Sequence, residues 1–220
     1  MSTHTFNLKK LDKMPFTGLF IFLLLRNLRQ DENVDEDELE VVEYYYMAKL
    51  GEIEKIIWIA LIFAALSVEH FPIFLTTLVA LFSIRIPSGG FHSNSTWGCF
   101  SWTLFGFLMA VFILPQLPLN TLAMIAMAAC SITICYMASP IRSADREGFI
   151  DKSKDKKLKY FATTTTILWF IIIFLWSNPF TTAIMWIVVL QNLQLLIEYY
   201  RRKLKMRRGE SHGISNISSR

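Results

Sequence analysis

Residues 97–139 read WGCFSWTLFGFLMAVFILPQLPLNTLAMIAMAACSITICYMAS, two apolar runs parted by Pro115-Gln116-Leu117-Pro118 and free of charged side chains. The runs, Trp97–Leu114 and Thr121–Ser139, approach the roughly 20 helical residues that cross a hydrocarbon core of roughly 30 Å. Working outward, two more runs of this kind follow a charged loop that extends from Arg142 to Lys159: Tyr160–Trp176 and Phe180–Tyr200, parted by Ser177-Asn178-Pro179. Upstream, the apolar region Ile53–Ile84 is interrupted by Glu69-His70-Phe71-Pro72, whose proline suits the first turn of a helix, so it reads as two short spans joined by a polar bend. The count is six.

Composition agrees. The chain has 220 residues, 53% hydrophobic and 18% charged, with a mean hydropathy of +0.39, too apolar for an ordinary soluble domain. The expected fold is an all-α integral membrane protein of six transmembrane helices plus an N-terminal amphipathic interfacial helix, Met14–Leu28, flanked by Lys9, Lys10, Lys13, Arg26 and Arg29. One membrane domain, 1–220, is expected: a cytoplasmic and interfacial region 1–52, a transmembrane region 53–200 and a basic tail 201–220. The acidic run Asp31–Glu43 reads as a solvated helix face.

Lys and Arg mark the cytoplasmic side of a membrane. Five precede residue 30, seven lie between Arg142 and Lys159, and six between Arg201 and Arg208, whereas the connections at Pro115 and Asn178 and the bend at His70 have none. With six spans all three clusters fall inside, both termini are cytoplasmic, and the segment that begins at Arg85 lies at the cytoplasmic surface. This placement accounts for the net charge of +4 without a nucleic-acid partner. Three cysteines without a pairing pattern give no disulfide framework.

That segment, Arg85 to Cys99, reads RIPSGGFHSNSTWGC. Asn94, Ser95 or Thr96 can cap a helix from about Trp97, leaving Cys99 in a first turn whose unpaired N–H groups favour an anion. A free thiol with a pKa of about 8.5 needs such help to be a thiolate. His92 can fold back to take the thiol proton and return it to a leaving amine. Gly89-Gly90 allows a close backbone approach, and Arg85 supplies a permanent cation for an oxyanion or a substrate carboxylate. The same residues also fit a packing cysteine, a turn and a membrane anchor. Cys130 and Cys135, with no His or Arg nearby, read as packing residues. His92, Cys99 and His70 do not make a recognisable metal ligand set, so no metal is expected. Without a nucleotide motif, no cofactor is expected either.

Arg85, Gly89, Gly90, His92 and Cys99, at the start of a hydrophobic helix, resemble the motif of the accessory gene regulator protein B (AgrB) peptidases, membrane enzymes that process quorum-sensing propeptides in Gram-positive bacteria. The short spans before the motif, the paired spans after it and a basic internal loop opening with Ser139-Pro140 extend the resemblance over most of the chain. The resemblance implies a cysteine endopeptidase with Cys99 as nucleophile, His92 as base, and Arg85, Gly89 and Gly90 in support; Pro140 would shape its loop. It implies cleavage of a propeptide of the AgrD type through a thioester, then ring closure by an internal Cys or Ser of the substrate. Trp97, Phe100 and Trp102 would exclude water. Lys152, Lys154, Lys156 and Lys157 would dock an acidic substrate tail, although orientation alone also demands a basic loop there. Membrane lipid and a second copy of the chain are further expected partners, and a cell membrane of a Gram-positive bacterium the expected location. Gln191, Asn192 and Gln194 read as helix–helix hydrogen-bond partners. They would equally line the path of a small peptide exporter or permease, and a non-catalytic membrane adaptor is the third reading.

Overall fold

The computed structural model describes residues 36–90, 96–141, 152–176 and 178–207. Among these residues the chain is helical: α1 (Glu36–Leu66), α2 (Phe71–Ser88), α3 (Thr96–Leu108), α4 (Thr121–Ala138), α5 (Lys152–Leu175) and α6 (Pro179–Arg207). The expected interfacial helix Met14–Leu28 lies outside the described residues. The chain forms two compact units, one of residues 1–71 and 93–105, the other of residues 72–92 and 106–220.

Among the described residues five helices are long and apolar enough to cross a membrane: Phe71–Ser88, Trp97–Gln116, Thr121–Ala138, Ser153–Leu175 and Pro179–Leu204. The first of the six expected spans is not among them. It is the C-terminal part of α1, where Lys49, Glu52, Glu54 and Lys55 cut into the apolar stretch and leave too few uncharged residues before the helix ends at Leu66. In the first unit, Glu54 and Lys55 are buried, the Trp58 indole donates to Glu54, and Lys55 pairs with Glu52 one turn away. The polar bend expected here exists: Ser67 continues the α1 ladder to the Phe63 carbonyl while its hydroxyl meets His70 Nδ1 at 2.8 Å.

In the second unit α6 is central. It packs against α4, α5 and the C-terminal extension of α3, and 56% of its span is buried against 22% for each of α4 and α5. The outer faces of α4 and α5 expose Leu122, Ile125, Leu168, Ile171 and Phe174, as a lipid-facing surface does. Several hydroxyls inside the spans are satisfied locally. The hydroxyls of Thr163, Thr165 and Thr166 bond carbonyls four residues back, so a run of four threonines costs the fifth helix little in hydrocarbon. Trp169 Nε1 donates to Ser83 Oγ at 2.8 Å and ties α5 to α2, while Phe74 meets Phe107 edge-on at 5.0 Å and ties α2 to α3.

The ends follow from sequence. Pro115 would drive its ring into the carbonyl of Val111, and the chain answers by widening into a π turn over Met109–Ile113 and a 3-10 turn over Leu114–Gln116. The Gln116 side chain then bonds the Phe112 carbonyl at 2.7 Å. Asn120 caps α4 through its side chain, and Asn178 and Thr181 cap α6 reciprocally, with Pro179 as its first residue. α5 starts at Lys152, eight residues before the predicted span, and α6 continues through Arg207.

Candidate functional site

Arg85 sits in the last turn of α2, and the helix runs through Pro87 to Ser88. Gly89 ends it in the left-handed region at φ +75°, with its amide bonded to the Arg85 carbonyl at 2.9 Å. The turn carries the chain onto the segment that follows α4. There Ile141 donates its amide to the Ser88 carbonyl at 2.8 Å, and Gly89 and Ile141 form a parallel bridge. The fit requires glycine: a Cβ at residue 89 would stand 1.9 Å from the Ile141 carbonyl oxygen. Ser139 and Pro140 supply the two residues between α4 and this contact.

Two carboxamides of α6 complete the arrangement. Gln191, 1% exposed, donates from Nε2 to the Gly89 carbonyl at 2.9 Å and accepts from Arg85 Nη1 at 3.4 Å through Oε1. Gln194 Oε1 accepts from the same Arg85 nitrogen at 3.3 Å. Gly90 is buried against this cluster, and a Cβ there would lie 3.3 Å from Gln191 Nε2 and 3.6 Å from the Arg85 guanidinium carbon. Thus Arg85, Gly89 and Gly90 are brought together. Gln191 and Gln194 do act as helix–helix hydrogen-bond partners; Asn192, fully buried, donates within its own helix to the Val188 carbonyl.

Cys99 belongs to the other unit. It is the fourth residue of α3, inside the first turn as the capping pattern predicted, and is 8% exposed. Thr103 Oγ1 donates to its carbonyl at 2.9 Å. Neighbouring aromatic residues are paired, Trp97 edge-on to Phe100 and Trp102 tilted against Phe105, with both tryptophans substantially exposed. His92 lies outside the described residues. Cys99, Cys130 and Cys135 are all free thiols, and Cys135 packs between helices, where Thr166 donates to its sulfur. Among the described residues no three His, Cys, Asp or Glu side chains gather around one possible metal position. Lys154, Lys156 and Lys157 project into the open from the first turns of α5; the side chain of Lys152 lies outside the described residues.

The partners of Arg85 and Gly89 were not foreseen from sequence. The polar trio 191, 192 and 194 in an apolar span was the only available signal, and it says that partners exist without saying which.

These features define a multi-pass helical membrane protein in which α2 ends in an Arg and Gly-Gly turn and α3 carries a cysteine in its first turn. A family model for accessory gene regulator B matches residues 21–195, and the chain belongs to that family. A protein named as AgrB-like from Clostridium beijerinckii is 27% identical over 158 residues, 71% of this chain and 76% of that one. One named AgrB-like protein 1 from Clostridium perfringens (strain 13 / Type A) is 25% identical over 184 residues, covering 83% and 97%. No solved structure matches significantly. Membership assigns the chain to the accessory gene regulator quorum-sensing system, in a family that is generally a peptidase and has an AgrD-like propeptide as partner.

Proposed function

We propose that this protein is a cysteine endopeptidase and cyclase of a quorum-sensing propeptide. The observation that carries the reading is the position of Cys99, buried in the first turn of α3 and seven residues after His92 in sequence, in a chain of this family. Backbone N–H groups at a helix start stabilise a thiolate. The Cys99 thiolate attacks the scissile carbonyl, the C–N bond breaks, and the amine of the C-terminal fragment leaves with a proton from His92. A thioester remains on Cys99. An internal thiol or hydroxyl of the substrate, giving its proton to His92, attacks the thioester, closes the ring and expels the Cys99 thiolate. Exchange of one thioester for another is nearly neutral, so a thiolactone needs positioning rather than an energy source. The test is release of the C-terminal fragment in membranes carrying Cys99→Ala. Release at the wild-type rate overturns the reading.

The orientation rests on charge. The loop before α5 and the end of α6 are basic, and the connections at Pro115 and Asn178 hold no Lys or Arg, which with the four spans α3 to α6 supports a cytoplasmic position for the segment before α3. A thiol introduced as Ser93→Cys is expected to react with a membrane-impermeant maleimide only in opened vesicles; labelling of intact cells from outside would reverse the orientation. With both clusters inside, the N-terminus is inside if the apolar end of α1 also crosses.

The exposed lysines of α5 suit an acidic substrate tail. Replacing Lys152, Lys154, Lys156 and Lys157 with Gln is expected to raise KM for the propeptide by roughly threefold to tenfold while kcat stays within about twofold. An unchanged KM would leave those lysines to topology alone.

Placing Gln191 against Arg85 and Gly89 also bears on the exporter reading, because a carboxamide fully engaged in helix packing is not lining a path.

A further inference from the structure

We infer that Gln191 and Gln194 are positioning residues that fix the Arg85 guanidinium relative to the Gly89–Gly90 backbone, an inference that rests on the peptidase reading above. Four observations meet here. First, the carboxamide of Gln191 is committed at both ends: its NH2 goes to the Gly89 carbonyl at 2.9 Å, which turns its oxygen toward Arg85. One rigid amide therefore joins the cation and the glycine turn. Second, Gln194, one helical turn away by the three-residue spacing, accepts from the same Nη1 at 3.3 Å, so the guanidinium is held from two points on one helix. Third, Gln191 is 1% exposed, and a carboxamide in an apolar span would carry a large desolvation cost without these bonds. Fourth, Gly90 leaves room for this packing, since a Cβ there would come within 3.3 Å of Gln191 Nε2.

Amides suit the task better than carboxylates. They accept from a guanidinium without adding opposing charge themselves. Arg85 itself is the group whose fork geometry suits a planar carboxylate or an oxyanion. The chemistry is thus divided between helices: α2 supplies the cation and the glycine turn, and α6 sets where the cation points.

The test is a double-mutant cycle on the full-length protein in proteoliposomes, with kcat/KM for propeptide cleavage as readout and the unfolding midpoint measured on each variant. Gln194 is only half-buried, so Gln194→Ala is a mild perturbation of the fold. It is expected to lower kcat/KM about tenfold when Arg85 is present, and less than about twofold in an Arg85→Lys background, where the fork is already lost. Gln191→Ala is expected to cost more than Gln194→Ala because it also frees the Gly89 carbonyl. Losses that multiply across the Arg85→Lys and Gln194→Ala cycle overturn the positioning role while leaving the peptidase reading intact, and so does unchanged activity in Arg85→Lys. Cleavage that persists in Cys99→Ala overturns the peptidase reading instead.

Discussion

Replacing Gly89 with alanine is expected to abolish processing and to reduce sharply the amount of folded protein recovered from membranes. Two penalties add. A non-glycine residue at φ +75° costs about 1–2 kcal/mol from the clash of Cβ with its own backbone. The new Cβ would also overlap the Ile141 carbonyl oxygen at 1.9 Å, and that neighbour is main chain held by the Ile141 amide bond to Ser88, so it cannot swing aside as a side chain would. Together they are expected to cost at least about 3 kcal/mol, a large share of the stability of a typical domain. Two other glycines serve as controls. Gly90→Ala meets only the end of the Gln191 side chain at 3.3 Å and is expected to fold with reduced activity. Gly51→Ala, inside α1 with nothing within 4 Å of the new Cβ, is expected to gain about 0.5–1 kcal/mol. The check is the thermal unfolding midpoint in detergent for all three. An unaltered midpoint for Gly89→Ala would refute the packing of the glycine turn on Ile141.

The second large effect is chemical. Cys99→Ser changes one atom at a nearly buried position and should leave the fold untouched, yet cleavage is expected to fall by at least about a thousandfold. A thiolate is the attacking form of a cysteine, whereas a serine hydroxyl ionises far less readily and is poorly nucleophilic without a fully assembled triad. A serine ester would also be a worse donor for ring closure by an internal thiol. The measurement is the initial rate of C-terminal fragment release at matched protein abundance, with trapping of a hydroxylamine-sensitive adduct in the wild type. Retention of more than about a tenth of the wild-type rate would mean that the sulfur is not the attacking atom.

Much of this architecture is written locally, and local signals were read well. Pro72, the Pro115–Pro118 break and Pro179 mark helix boundaries where the missing N–H and fixed φ leave few alternatives. Cys99 falls in the first turn of α3, where the sequence pattern of Asn94, Ser95 and Thr96 predicts it. The boundary errors have a common origin. Charge ends a membrane span without ending its helix, because Lys and Arg are good helix formers, so α5 begins among the lysines at Lys152 and α6 carries on to Arg207. Conversely, Glu54 and Lys55 sit inside α1 and break hydrophobicity without breaking the helix, which is why a span was expected where five, not six, qualify. What sequence could not convey is pairing at a distance. Arg85 meets Gln191 across 106 residues and Gln194 across 109, and the contact of Ile141 with Gly89 uses main-chain atoms, which leave no trace in side-chain chemistry.

The bond from Gln191 to the Gly89 carbonyl spans 102 residues, from α6 back to the end of α2. During synthesis the second helix and its glycine turn emerge long before the helix that supplies the carboxamide. In the interval the turn is held by neither glutamine. The order of the chain thus works as a timer: the Arg85 cluster closes only when the C-terminal helix has been threaded into the bilayer, and a truncated or stalled nascent chain carries the motif without its completed geometry.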